Sequence, residues 1–156
     1  MPKPKKTVAM RQLDNLRVPY EATWHPPTYD AESAALESGI PLAQIVKSLL
    51  VQLPGRRYVL ALVPGDRKLS LHKLGTALGQ KGLEMAPHDE VATITGYEPG
   101  SVSPLGLKRK LSIVVDDTVL ALERASISGG RHEAGITLAP ADLVRATGAK
   151  VADITQ

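Results

Sequence analysis

A lysine interrupts an otherwise apolar stretch of the chain. The run 45–53 (IVKSLLVQL) is rich in aliphatic and β-branched residues, which predicts a buried strand. Strand residues alternate between faces, so Lys47 shares its face with Leu49 and Val51. A buried ammonium costs roughly several kcal/mol unless partners satisfy it. Either Lys47 extends along its own stem to water, or it points into a cleft and meets an anionic or carbonyl-bearing ligand.

A second unusual stretch is the segment 96–106 (GYEPGSVSPLG). It holds three glycines and two prolines in eleven residues, which predicts an irregular loop. Glycine lets backbone N–H groups approach a ligand, and proline stiffens the loop around them; the alternative is an ordinary surface connection. A further glycine-rich turn follows Ser128. Backbone donors and one lysine suit stabilisation of a developing oxyanion, with water or a substrate hydroxyl as the nucleophile.

Most other catalytic signatures are missing from the sequence. There is no nucleophile elbow, Walker loop or dinucleotide fingerprint. Cysteine is absent, and the histidines lack metal-binding spacing, so we expect no metal site, no thiolate catalysis and no cofactor. We interpret Asp116 and Asp117 as a turn that ends a strand rather than as a catalytic pair. The scattered histidines, which we expect to be surface or polar residues, are His25, His72, His88 and His132.

Strands and helices must position these residues. The runs 45–53 and 58–63 flank the turn at Pro54 and Gly55, which predicts a hairpin. The runs 124–128 and 135–138 predict two further strands, joined through a turn with two glycines. Asp30 and Ser70 are expected to cap helices. Because tight turns join neighbouring strands while helices intervene elsewhere, we predict a mixed α+β fold.

Length and composition are those of one globular domain. The chain has 156 residues, 43% of them hydrophobic and 22% charged, and it has no phenylalanine. Val8, Leu13 and Leu16 predict the apolar stripe of a first helix. The basic segment 1–6 is expected to be a flexible tail. No apolar run approaches the ~20 residues of a membrane span. The absence of cysteine fits a cytoplasmic protein, which we expect, and the net charge of +3 permits a polyanionic partner.

Three stretches together resemble the YbaK/ProX family of free-standing relatives of the editing domain inserted in bacterial prolyl-tRNA synthetases. They are 46–51 (VKSLLV), 96–106 and 127–130 (ISGG), and the likeness runs in order from about Val18 to Ile154. The resemblance implies a single editing domain over residues 1–156. It also implies a mixed α+β fold with a strongly curved, barrel-like β-sheet flanked by helices. Members of the family hydrolyse mischarged aminoacyl-tRNA, freeing the amino acid from the terminal adenosine.

The resemblance implies roles for individual residues. Lys47 matches the family's essential strand lysine, which contacts the substrate near the scissile ester, and Gly100 matches the loop glycine whose N–H faces the carbonyl. Both are therefore expected to be catalytic. Trp24 and Gly135 stand where the cysteine-specific branch has tyrosine and aspartate, which puts cysteine specificity in doubt. The residues expected to contact the substrate are Trp24, Tyr97, Ser101, Val102, Ser103, Pro104, Ser128 and Gly129.

These expectations lead to three hypotheses about function. The first is a trans-acting aminoacyl-tRNA deacylase that removes a small amino acid such as Cys, Ala or Ser, with tRNA-Pro as one candidate carrier. The second is a non-catalytic module of the same fold that binds tRNA or the aminoacyl group. The third is a domain that docks on an aminoacyl-tRNA synthetase. The basic cluster Lys108-Arg109-Lys110 fits contacts with acceptor-stem phosphates, or an ordinary solvated charge run.

Overall fold

The computed structural model describes residues 4–156, in which helices and strands alternate as a mixed α+β fold. The predicted fold class is confirmed. Residues 1–3 of the expected basic tail lie outside the described residues. The strands are β1 Glu21–Trp24, β2 Val46–Leu53, β3 Arg57–Pro64, β4 Glu84–Met85, β5 Ser112–Asp116, β6 Ala125–Ser128, β7 Ala134–Leu138 and β8 Lys150–Ala152. The α-helices are α1 Val8–Leu16, α2 Ala31–Ser38, α3 Leu71–Leu78, α4 Val91–Thr95 and α5 Pro140–Thr147.

The strands form two sheets that meet along β2 and β6. The larger sheet has the order β4-β2-β3-β5-β8, in which β2 and β3 form the predicted antiparallel hairpin and β5 runs parallel to both β3 and β8. The smaller sheet, β1-β7-β6, is antiparallel throughout. A bridge between Ile45 and Ser126 joins the sheets. The result is the expected barrel-like arrangement, although the strands do not close into a complete barrel.

The larger sheet is buried on both faces. Leu60 and Leu62 of β3 point into the main core, where they meet Ile136 and other residues of the smaller sheet. Val59, Ala61 and Val63 alternate with them and point to the opposite face. The main core also includes residues of α1 and α5. A second core lies on the opposite face of the sheet and is covered by α3. Burial on both sides explains why β3 is a continuous apolar run.

The first helix uses a different apolar face from the one predicted. Leu13 is fully buried as expected, but Val8 and Leu16 are exposed by 52% and 46%. Ala9 and Met10 are buried in their place. At about 100° per residue, Val8 lies about 140° around the helix from Leu13, whereas Ala9 and Met10 lie within about 60° of it. The predicted stripe was therefore wrong at both of its ends.

Helices α2 and α3 begin at the two capping residues that the sequence predicted. Asp30 caps α2 as predicted, because its carboxylate accepts the Ser33 N–H at 2.7 Å. Of its eight residues, α2 buries only Ala31, so most of the helix lies at the protein surface rather than in the core. Ser70 caps α3 in the same way through the Lys73 N–H. Within residues 4–156, no helix is both long and apolar enough to cross a membrane.

Candidate active site

A cavity of about 360 Å³ lies where β2, the smaller sheet and the segment around α2 meet. This volume is in the range of small-molecule sites. Its wall draws on parts of the chain that are far apart in sequence, including the predicted lysine strand, the glycine-rich segment 96–106 and the turn after β6. Among the residues that line it are Thr23, Lys47, Gly100, Val102, Ser128 and Gly135.

Lys47 of β2 belongs to the cavity wall. The residue is half-buried, and its Nζ donates a hydrogen bond to the carbonyl oxygen of Arg67 at 2.8 Å. An ammonium carries three donors, so this bond leaves two for water or a ligand. Both sequence-based alternatives therefore hold in part: the hydrogen-bonded ammonium is accessible to solvent, and the residue borders a cavity.

Gly100 is an exposed residue of the same cavity wall. Its φ is +87°, a conformation that favours glycine. A Cβ at this position would lie 2.7 Å from the carbonyl oxygen of Tyr29, so the two backbones pack directly together. Across residues 4–156, no acceptor is found for the Gly100 N–H. Because the residue is exposed, this donor is accessible to water or to a ligand.

Ser128 anchors the glycine-rich segment to the smaller sheet. Its hydroxyl donates to the carbonyl oxygen of Ser101 at 2.8 Å and accepts the Gly130 N–H at 3.1 Å. The hydroxyl proton is thus already engaged within the protein, and one oxygen lone pair remains for a ligand. Ser128 borders the cavity, and at the same time it holds the backbone next to Gly100 in place.

The rest of the glycine-rich segment is a packed scaffold rather than a surface connection. Ser101 and Ser103 are exposed by only 3% and 0%, and Pro104 is buried. Tyr97 donates its hydroxyl proton to the carbonyl oxygen of Leu105. Burial raises the pKa of Tyr97 to about 12, so the phenol remains a hydrogen-bond donor at neutral pH. These contacts hold the loop in one shape.

The structure brings only some of the expected site residues to the cavity. Lys47, Gly100, Val102 and Ser128 line it. Trp24 does not, because its neighbours Thr23 and His25 point into the cavity and strand alternation turns Trp24 toward the core. The guanidinium of Arg131 lies 5.9 Å from the centre of its indole ring. The other expected residues outside the cavity wall are Tyr97, Ser101, Ser103, Pro104 and Gly129.

Two of the histidines, predicted to be scattered surface or polar residues, line the cavity. His132 is 16% exposed, and it connects two segments that are distant in sequence. Its Nδ1 lies 3.0 Å from the carbonyl oxygen of Thr28, and its Nε2 lies 3.1 Å from Oε2 of Glu98. His25 is the second, with Nδ1 2.8 Å from the carbonyl oxygen of Pro26. The proximity of His132 to the Ser128 turn was the one sequence signal that could have indicated it.

The wall of the cavity also carries two buried hydroxyls without partners. The oxygens of Thr23 and Ser48 are buried from solvent, and neither has a hydrogen-bond partner among residues 4–156. Thr23 pairs with Gly135 across β1 and β7, and a Cβ on Gly135 would lie 2.7 Å from the Thr23 hydroxyl. An unpaired buried hydroxyl costs about 1–3 kcal/mol, so a polar ligand group reached by a side-chain rotation would recover free energy here.

Charged groups of both signs surround the cavity. Lys47 and Arg131 are its cations, while Asp30 and Glu32 supply carboxylates from the start of α2. Hydrogen bonds from Ser33, through its side chain and its backbone N–H, lower the pKa of the Asp30 carboxyl. Asp30 is therefore ionised at neutral pH, so the site can accommodate a substrate that carries both positive and negative groups.

A separate acidic cluster lies outside the cavity. Carboxylate oxygens of Asp116, Asp117 and Asp153 come within 4.8 Å of one another. Asp116 is fully buried and accepts the Ile154 N–H at 2.9 Å, and Lys73 pairs with Asp153 at 3.1 Å. These bonds fasten the end of β5 to the last residues of the chain. Asp116 also ends its strand, as predicted, and the contacts account for the cluster as a structural element.

The sequence profile of the aminoacyl-tRNA editing domain matches residues 25–146. The chain belongs to this family. The match includes Lys47, Gly100 and Ser128, and thus most of the cavity wall. Over 154 residues the chain is 32% identical to a protein of Enterococcus faecalis provisionally named Cys-tRNA(Pro)/Cys-tRNA(Cys) deacylase EbsC, covering 97% of this chain and 94% of that protein.

Other editing-domain relatives are parts of larger enzymes. The proline–tRNA ligase of Bacillus licheniformis is 34% identical over 124 residues, which cover 80% of this chain but only 20% of the ligase. The crystal structure of a hypothetical protein superposes with a TM-score of 0.88 at 29% identity, covering 94% of this chain and 97% of that one. A structure provisionally described as a trans-editing enzyme for prolyl-tRNA synthetase gives 0.80 at 32% identity, with 88% and 87% covered.

Proposed function

We propose that this editing-domain protein is a trans-acting deacylase that hydrolyses the ester of mischarged aminoacyl-tRNA. The observation that carries the proposal is the cavity whose wall includes Lys47, Gly100 and Ser128. Membership of the editing-domain family and the similarity to EbsC support the reaction type. Because tRNA is charged in the cytoplasm, we place the activity there.

In the proposed mechanism the chain positions the ester and stabilises its charge. The Gly100 N–H donates to the ester carbonyl, and the Lys47 ammonium adds positive charge as that oxygen becomes an oxyanion. Water attacks the carbonyl carbon, the bond to the terminal ribose oxygen breaks, and that oxygen takes the proton that the water loses. If a ribose hydroxyl attacks first, the acyl group moves to that hydroxyl, and water must still cleave the new ester to release the amino acid. A single oxyanion donor of this kind contributes about 10²–10³ to kcat, and the scheme needs no nucleophilic side chain.

The cavity wall favours a small amino acid that can carry a polar group. The cavity of about 360 Å³ must hold the aminoacyl group together with part of the nucleoside. Gly135 packs closely on the Thr23 hydroxyl, where a Cβ would lie at 2.7 Å, and a side-chain rotation would make the buried hydroxyls of Thr23 and Ser48 available as polar contacts. Ala, Ser and Cys are therefore the candidate amino acids, and the proline–tRNA ligase relatives make tRNA-Pro a candidate carrier.

A deacylation panel tests the proposal. Purified protein is incubated with tRNAs that carry Ala, Ser, Cys, Pro or Thr, and release of the labelled amino acid is followed over time. We expect rapid release of one or two of the small amino acids and little release of the others. No release from any of these tRNAs above the spontaneous rate would contradict the proposal.

The second candidate function is tRNA binding without hydrolysis. Two observations favour it: position 135 carries no carboxylate, and Lys108, Arg109 and Lys110 form an exposed cationic cluster. A binding module would retain uncharged and charged tRNA alike, with an affinity that falls steeply as salt rises, and would form no product. Copurification with an aminoacyl-tRNA synthetase would instead point to a docking role.

A further inference from the structure

Tyr29 exposes an aromatic ring at the cavity. The residue is 64% exposed, although it lines the same cavity as Lys47 and Gly100. Of the tyrosines and the tryptophan in the described part of the chain, Tyr29 alone lines the cavity. A single exposed tyrosine is ordinary on a protein surface. Its position beside the groups that would bind the ester is what distinguishes this one.

The structure holds Tyr29 firmly on both sides. Thr28, which precedes Tyr29, donates its N–H to the carbonyl oxygen of His132 at 2.9 Å. Asp30, which follows Tyr29, caps α2. The ring of His132 lies beside that of Tyr29, with centroids 4.4 Å apart and planes at 40°. Both ring nitrogens of His132 lie within 3.1 Å of acceptor oxygens, those of Thr28 and Glu98, and a hydrogen bond to either one restrains the imidazole beside the tyrosine ring while most of that ring remains open to solvent.

Tyr29 is also adjacent to the expected carbonyl-binding donor. An added Cβ on Gly100 would lie 2.7 Å from the Tyr29 carbonyl oxygen and 3.3 Å from its Cα, so the two residues are in backbone contact. In an aminoacyl-tRNA the ester is carried by the ribose of the terminal adenosine. An ester held at Gly100 therefore brings an unpaired purine to the immediate neighbourhood of Tyr29.

We propose that Tyr29, supported by His132, is a stacking platform for the terminal adenine of the tRNA substrate. This inference rests on the proposed deacylase function. Stacking on an aromatic ring recognises the flat face of an unpaired base, which suits a substrate end shared by all tRNAs. Tyr29 would then hold the nucleoside, while the Lys47 and Gly100 groups act on the ester.

The test combines a fluorescent base with steady-state kinetics. An uncharged acceptor-stem hairpin ending in 2-aminopurine in place of adenine is titrated with wild-type protein, Tyr29→Phe and Tyr29→Ala. Leu36→Ala is the matched control, because Leu36 is 84% exposed on the adjacent helix but offers no ring. We expect quenching with wild type, Tyr29→Phe and Leu36→Ala, and its loss with Tyr29→Ala. On the charged substrate, Tyr29→Ala should raise KM about tenfold with kcat nearly unchanged.

The outcomes separate this inference from the proposed function. Quenching and KM that are unchanged in Tyr29→Ala would overturn the platform, as would equal losses in Leu36→Ala. A Tyr29→Phe variant as defective as Tyr29→Ala would also overturn it, because phenylalanine keeps the stacking face. If wild-type protein releases no amino acid but quenches the 2-aminopurine hairpin through Tyr29, the deacylase proposal fails while the platform stands.

Discussion

Replacing Gly100 by alanine should remove most of the activity of this protein. The new Cβ would lie 2.7 Å from the Tyr29 carbonyl oxygen, and ordinary contact begins at 3.4 Å, so the loop must retreat by about 0.7 Å. The obstacle is backbone rather than the end of a flexible side chain. Misplacing a catalytic group by about 1 Å costs on the order of 100-fold in rate, so we expect kcat to fall by about that factor.

The same substitution should also reduce stability. An L-residue held at positive φ costs about 1–2 kcal/mol, and forcing a methyl group into a packed site adds about 1–3 kcal/mol. We therefore expect Gly100→Ala to lower the free energy of unfolding by about 2–5 kcal/mol. Gly148→Ala is a matched control, because Gly148 has φ +66° with open space where its Cβ would be. It should lose about 1–2 kcal/mol and keep wild-type kcat.

The assay measures single-turnover deacylation alongside urea unfolding for both variants. The measurements are made at a temperature at which each variant is folded by circular dichroism. A Gly100→Ala protein that is folded and retains kcat within about threefold of wild type would refute the assignment of its N–H as the carbonyl donor. Equal losses of activity in Gly148→Ala would show that backbone strain alone, rather than position at the cavity, is responsible.

Two further substitutions test how the glycine-rich loop is held. Ser128→Ala removes the hydroxyl that joins Ser101 to Gly130, so we expect a loss of about 1–3 kcal/mol in urea unfolding and a lower kcat; wild-type values for both would contradict the anchoring role. Tyr97→Phe removes the hydrogen bond to the Leu105 carbonyl. Because burial raises the pKa of Tyr97 to about 12 in the folded state, against about 10 when unfolded, its contribution to stability is fully present below pH 10 and is lost as pH rises toward 12. Unfolding measured from pH 9 to 12 should therefore show a steeper loss in wild type than in Tyr97→Phe, and equal slopes would contradict this account.

Local patterns in the sequence were enough to predict much of the framework. The apolar runs on either side of Pro54 and Gly55 predicted the β2–β3 hairpin, and Asp30 and Ser70 predicted two helix starts. These features depend on residues close in sequence, where turn and capping chemistry dominates. Two local features also indicated oxyanion chemistry: a lysine within an apolar strand and a loop with a high density of glycine.

Three features that depend on packing between distant parts of the chain were not predicted. His132 reaches Thr28, which is 104 residues away in the chain, and no local pattern encodes that contact. Trp24 was expected in the site because it stands where the cysteine-specific branch has tyrosine. Thr23 lines the cavity instead, since successive strand residues face opposite sides. In α1, Met10 packs against the core, whereas Val8 and Leu16 of the predicted stripe are exposed. Each difference arises from a neighbour contributed by another element.

Two lysines with similar hydrogen bonds give the most direct test of the proposed catalytic role of Lys47. Lys47 and Lys150 each lie on a strand and donate Nζ to a backbone carbonyl oxygen, at 2.8 Å and 2.6 Å, but only Lys47 lines the cavity. Single-turnover hydrolysis of the best substrate should be abolished in Lys47→Ala and unchanged in Lys150→Ala, with both variants folded. A folded Lys47→Ala protein that still hydrolyses the ester at the wild-type rate would contradict the central claim.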